Sequence, residues 1–232
     1  MEQIRENIHR LNCRKEEIAL KTGRDAEDIL LIAVTKTRTA EEINQAIEAG
    51  ITDIGENKVQ EILDKYDKVK SGVRWHMIGH LQTNKVKYVI DKVDLIHSVD
   101  SIKLANEISS RAAGHNRAMD ILVQVNAAQE ESKFGITAEE TGDLLQSILE
   151  HCENVRVRGL MSIAPFAEDP EEVRMYFRQV KKLYDEYAVW EHPRLDFKYL
   201  SMGMSHDFPV AVEEGSNMIR VGTAIFGERN YK

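Results

Sequence analysis

Lys36 is the residue best placed to do chemistry. It follows Leu30-Leu-Ile-Ala-Val34 and Thr35. A run apolar at every position reads as a strand buried on both faces of a parallel sheet. Lys36 therefore emerges where a buried strand ends. Lysine is rarely buried without a partner, and partial desolvation weakens its hold on a proton. Its amine then becomes a nucleophile toward an aldehyde. A solvated lysine closing a strand end is the other reading of the same position.

A second set lies late in the chain, in Ser201-Met-Gly-Met-Ser205 and Arg220-Val-Gly222-Thr223. Glycine lets backbone N–H groups approach a phosphate closely, and hydroxyls add donors. Ordinary turn chemistry explains each residue singly, but their joint placement points to an anion. Arg220 is flanked by Ile219 and Val221, so it needs a partner for its charge. His76 and His80 are four apart, as in a zinc motif, yet they straddle a strand end and a turn. No metal site is expected from them.

The elements that position these residues alternate regularly. A first helix carries Ile4, Ile8, Leu11 and Ile18, and Gly23 follows it. Strands are expected at 30–34, 51–54, 74–78, 93–97, 119–125, 155–161, 195–200 and 217–221. Helices are expected after Thr39-Ala-Glu-Glu42, which has the spacing of a capping box, and at 58–69, 82–91 and 101–113. A second Thr-Ala-Glu-Glu at 137–140 opens another. Asp169-Pro170 begins a long helix whose stripe, Val173 to Tyr187, reads as core rather than as a cofactor box. His206-Asp207 caps a short helix at 206–214, and a short tail follows the last strand.

Eight βα units without a linker imply an α/β fold. The expectation is a (β/α)8 TIM barrel, single domain over 1–232, with an extra N-terminal helix. An open doubly wound sheet is the alternative. In such barrels the site lies beyond the strand C-termini, and a phosphate commonly sits after strands 7 and 8. Lys36, Asn57, His80, Met161, Ser201, Ser205, Arg220, Gly222 and Thr223 all fall in those segments.

Composition narrows the class. The 232 residues are 42% hydrophobic and 30% charged, which suits a globular chain rather than a disordered one. A net charge of −8 argues against generic binding to nucleic acid or to an anionic membrane. Cys13 and Cys152 form neither a disulfide framework nor a zinc motif, so a reducing cytoplasm is the expected setting. Neither a signal peptide nor a membrane span is expected.

Seven ordered segments carry a resemblance: Ala33-Val-Thr-Lys36-Thr, Gly55-Glu-Asn57, Trp75-His-Met-Ile-Gly-His80-Leu-Gln, Ser132-Lys133-Phe-Gly135, Gly159-Leu-Met161, Leu200-Ser-Met-Gly-Met-Ser205 and Arg220-Val-Gly-Thr-Ala-Ile-Phe-Gly227. Over nearly its whole length the chain resembles the YggS/PROSC family of pyridoxal-phosphate homeostasis proteins. The resemblance implies the fold-type III barrel of the alanine racemase N-terminal domain. It implies pyridoxal 5′-phosphate (PLP) as cofactor, held as a Schiff base on Lys36. It also implies Arg220 against the pyridine nitrogen, and Ser201, Gly222 and Thr223 on the phosphate. Asn57 and Met161 would line the pocket, with His80 and Ser205 as further candidates. Lys133 matches a lysine of the family that is given no role.

The resemblance leaves two function classes. One is a non-catalytic carrier in vitamin B6 homeostasis, able to hand PLP to apo-enzymes that use it. The other is a racemase-like enzyme. Alanine racemase carries a further β-domain that brings a tyrosine base to a partner's site. Here only Glu228 to Lys232 follow Gly227, and no tyrosine lies in the strand-end segments. The expectation is therefore a carrier, no enzyme, and a monomer. A sugar-phosphate barrel enzyme using Lys36 as an aldolase lysine would leave Arg220 and the motif set unexplained.

Overall fold

A computed structural model describes residues 2–130 and 132–228. Eight parallel strands follow one another around a closed barrel. They are β1 (Leu30–Val34), β2 (Asp53–Glu56), β3 (Arg74–Met77), β4 (Leu95–Val99), β5 (Met119–Val125), β6 (Val155–Ser162), β7 (Leu195–Ser201) and β8 (Met218–Val221). The barrel closes where β1 pairs with β8, from Leu30 opposite Met218 to Ala33 opposite Val221.

Side-chain alternation with a period of two decides what faces the interior. Leu31 and Ala33 of β1 pack outward against helices, while Ile32 points inward. In β8, Ile219 and Val221 pack outward and Met218 inward. Continuing that parity past the strand ends puts Val34, Lys36, Arg220 and Gly222 on the inner side, where they line one pocket. Ile32, Leu95, Leu122, Met161 and Met218 fill part of the interior. Each contributes about 1.5–3 kcal/mol of burial.

Outside the strands run α1 (Glu2–Lys21), α2 (Ala40–Glu48), α3 (Val59–Lys65), α4 (Ile102–Gly114), α5 (Thr141–His151), α6 (Arg174–Ala188), α7 (Phe208–Glu213) and α8 (Thr223–Phe226). The Thr39 box is present, with side chain and backbone of Thr39 and Glu42 bonded reciprocally. Thr137 and Glu140 make the same reciprocal bonds one turn before α5. The aromatic stripe of α6 is core, with Phe177, Val180 and Tyr187 buried.

Several boundaries differ from expectation. The helix expected at 82–91 is a 3-10 turn, Thr83–Tyr88. Val86 and Val89, both buried and three apart, suit a three-residue repeat. The segment 58–69 is α-helical only to Lys65, and 170–173 is 3-10 before α6. β2 and β4 lie about two residues later than expected, so Gly55 and Glu56 are inside a strand. The short tail contains α8, whose four residues are too few for a helical period to show. Asp207 sits at the N-cap of α7 without capping it; its Oδ1 accepts instead from the Met204 N–H at 2.6 Å. No helix among the described residues is long and apolar enough to cross a membrane.

Candidate functional site

Lys36 sits in a turn held from below. The buried Thr35 hydroxyl donates to Glu56 Oε1 at 2.7 Å. Lys65, from α3, donates to the Thr35 carbonyl at 2.9 Å, to Glu56 Oε1 at 2.8 Å and to Glu61 Oε2 at 2.7 Å. Glu61 Oε2 also accepts the Thr37 backbone N–H at 2.6 Å. Thr37 has φ of 65°, which is unusual for a β-branched residue. Both neighbours of half-buried Lys36 are therefore fixed by one ionic cluster.

Charge in that cluster is unevenly balanced. Burial raises the Glu56 pKa, against hydrogen bonds from Lys65 and Thr35 that lower it. Burial also works to raise Glu61, but the Lys65 bond and the Thr37 N–H outweigh it and hold this carboxyl below its ordinary range. Glu56, Glu61 and Lys65 escaped the sequence reading. The available signal was Glu61 and Lys65 at i,i+4, one helix face above the end of β2.

Across the pocket, Ser205 Oγ accepts from the backbone N–H groups of Gly222, at 3.3 Å, and Ala224, at 3.4 Å. Thr223 is exposed beside them. A Cβ on Gly222 would stand 3.3 Å from the Val34 carbonyl oxygen, so a side chain there would crowd the wall. The turn that delivers Ser205 needs Gly203, whose φ is 89° and whose Cβ would come within 2.7 Å of Ala211 Cβ.

Ser201 is not in this wall. It is fully buried, and its hydroxyl lies 2.5 Å from Arg220 Nη1 and 3.2 Å from His97 Nδ1. Its inward direction at the end of β7 buries it beside Arg220, while Ser205 lies in the pocket wall beside Gly222. Arg220 is buried too, with Nη2 donating to the Ser162 carbonyl at 2.9 Å. Burial lowers its pKa to about 10, opposed by Asp207, so it remains a cation at neutral pH.

The other expected residues divide. Asn57 and His80 share a second pocket at the mouth, beside Gln60 and Lys85. Asn57 Oδ1 is buried with no partner. His80 stacks on Phe134 with ring centroids 3.7 Å apart. Met161 is fully buried in the interior cluster, below the mouth rather than in its wall. Lys133 donates to the Ala164 carbonyl at 3.0 Å, over a groove that includes Pro165, Phe166 and Met204. His76 points into the barrel, so it shares no site with His80.

The family described as "Alanine racemase, N-terminal domain" matches residues 19–230. A pyridoxal phosphate homeostasis protein of Aquifex aeolicus is 44% identical over 227 residues, covering 97% of this chain and 98% of that protein. The structure of PipY from Synechococcus elongatus with PLP bound aligns with a TM-score of 0.79 at 34% identity, over 92% of this chain and 100% of PipY. Alanine racemase of Clostridium difficile shares the fold, with a TM-score of 0.71 at 14% identity, and this chain spans 58% of it. The chain belongs to the pyridoxal phosphate homeostasis protein family.

Proposed function

We propose that this protein binds PLP, holds it as a Schiff base on Lys36, and acts in vitamin B6 homeostasis as a carrier without turnover. The observation that carries the reading is one pocket lined by Lys36, Ser205, Arg220, Gly222 and Thr223. Those residues fit the group in kind. An amine can condense with an aldehyde and release water. A permanent cation can donate to a ring nitrogen. Hydroxyl and backbone N–H donors suit a phosphate. When bound, PLP supplies a ring that can delocalise electrons from an attached amine. The relative from Synechococcus, with PLP bound, supports the cofactor's identity.

The residues around the pocket support retention rather than turnover. Arg220 donates without readily giving up its proton, so it would leave a facing ring nitrogen unprotonated and the ring a weaker electron sink. Two-faced proton transfer needs two placed bases. Among the described residues no tyrosine lines this pocket, and His206 in its wall has Nε2 3.0 Å from the Glu168 carbonyl. His206 is the one observation favouring the racemase-like reading, which makes it the control. Solvent deuterium exchange at the α-carbon of alanine should be absent in wild type. Exchange at about 1 s⁻¹ or faster, lost in Lys36→Ala or His206→Ala, would overturn the carrier reading. On this reading the acceptors are PLP-dependent apo-enzymes, and the protein works as a monomer in the cytoplasm.

A further inference from the structure

The barrel interior is split. Beside the apolar cluster of Ile32, Leu95, Leu122, Met161 and Met218 runs an unbroken polar line. Arg220 Nη1 is 2.5 Å from Ser201 Oγ, which is 3.2 Å from His97 Nδ1. His97 Nε2 is 3.0 Å from His76 Nδ1, and His76 Nε2 is 2.8 Å from Asp53 Oδ1. Every one of these residues is buried. Asp53 also takes two bonds of 2.8 Å from Arg74, whose side chain is half exposed at the start of β3. The line thus passes from the pocket floor through the barrel to its opposite end.

Its direction is fixed by chemistry. An arginine can only donate, and a carboxylate can only accept. Between those ends, with both imidazoles neutral, one arrangement satisfies all four links. Arg220 donates to Ser201, whose hydroxyl donates to His97 Nδ1. His97 Nε2–H then donates to His76 Nδ1, and His76 Nε2–H donates to Asp53. Burial holds the His97 pKa well below its ordinary value, so this ring stays neutral, as the arrangement requires. Burial works to raise the Asp53 pKa, but bonds from His76 and Arg74 prevail and keep it an acceptor.

Such a line is costly to bury unless complete, and neighbouring strands fill the same interior with leucine and methionine. Packing alone does not call for two histidines and a serine there. We propose that Asp53, His76, His97 and Ser201 are positioning residues that orient Arg220, fixing which of its N–H groups face the cofactor ring. This rests on the reading of Arg220 as the ring's partner. Ser201 and the Ser162 carbonyl each take one N–H, and the remaining N–H groups are left for the pocket.

The test begins without cofactor. In protein labelled with ¹⁵N-histidine, long-range proton–nitrogen spectra should show both His76 and His97 neutral with the proton on Nε2. Asp53→Asn should mix the two tautomers, because an amide can donate as well as accept. A mixed pattern in wild type would overturn the relay. On loading, Asp53→Asn and Ser201→Ala should each shift the absorbance maximum of the bound cofactor. Each should also weaken its retention about tenfold, the worth of one hydrogen bond to a charged group. Ser201→Ala removes only a hydroxyl and keeps the barrel testable if Asp53→Asn fails to fold. Unchanged absorbance and retention in these variants would make the line purely structural. Arg220→Lys separates the two ideas. If it shifts the absorbance while the relay variants do not, the relay alone fails. If it too shifts nothing, the assignment of Arg220 to the ring fails.

Discussion

Removing Lys65 should expose how much the Lys36 turn depends on one buried ion cluster. Lys65→Met keeps the length of the side chain and deletes three donated hydrogen bonds, to Thr35, Glu56 and Glu61. Glu56 is the vulnerable partner, since its side chain is fully buried and its Oε2 already lacks a bond. Breaking a buried pair by deleting one member typically costs about 3–5 kcal/mol. For a chain of this size that is a fall in Tm of about 6–20 °C. The loss should depend on pH. Burial already raises the Glu56 pKa, and loss of Lys65 raises it further. For an acid whose folded-state pKa exceeds its unfolded one, the stability gained is complete below the unfolded value and lost as pH rises through the folded value. Lys65→Met should therefore lie closest to wild type in mild acid and furthest from it at neutral pH and above. Adding Glu56→Gln should restore most of the neutral-pH stability, because no buried charge is stranded. Thermal melts of both variants across that range decide it. A deficit in Lys65→Met that is independent of pH and unrelieved by Glu56→Gln would refute the electrostatic account.

Two further outcomes follow from the pocket. Borohydride reduction of loaded protein should fix the cofactor on the peptide containing Lys36, read by mass spectrometry; an adduct confined to another lysine would sink that assignment. Ser205→Ala with Thr223→Ala should weaken PLP binding by about tenfold or more while leaving pyridoxal binding nearly unchanged. Equal loss for both ligands, measured by titration, would mean that these residues only shape the turn.

The fold, and the gathering of Lys36 and Arg220 at one pocket, were legible in the sequence for physical reasons that can be named. Lys36 follows a strand apolar at every position and Arg220 stands between Ile219 and Val221, so each read as a charged group at a buried strand end, and the barrel brings both to one pocket. Ser201 also ends a strand, but nothing in its neighbourhood says whether a strand end lies above or below the pocket floor. That depth is set by how far β7 reaches before Gly203 turns it, and Ser205 surfaces only after the turn. Met161 is likewise inward, and its depth in the interior cluster is set by the barrel and not by its own neighbours in sequence. Glu56, Glu61 and Lys65 were hidden for another reason. Their contacts bridge β2, α3 and the turn after β1, and each alone looks like an ordinary charged residue. His76 and His97 suffer likewise, because the 3.0 Å contact between them requires the register of β3 against β4.

The pairing of β1 with β8 also bears on when the pocket comes into being. Lys36 follows the first strand of the barrel and Gly222 follows the last, and these two strands meet edge to edge. A nascent chain that has made seven strands has the amine but no facing wall. On the proposed reading, capture of a small aldehyde phosphate waits until synthesis and closure are both complete. Once captured, a ligand gripped on both sides of that seam resists its parting, and its free energy of binding adds to the resistance. Barrel opening should then begin at the β1–β8 edge in the empty protein and elsewhere in the loaded one.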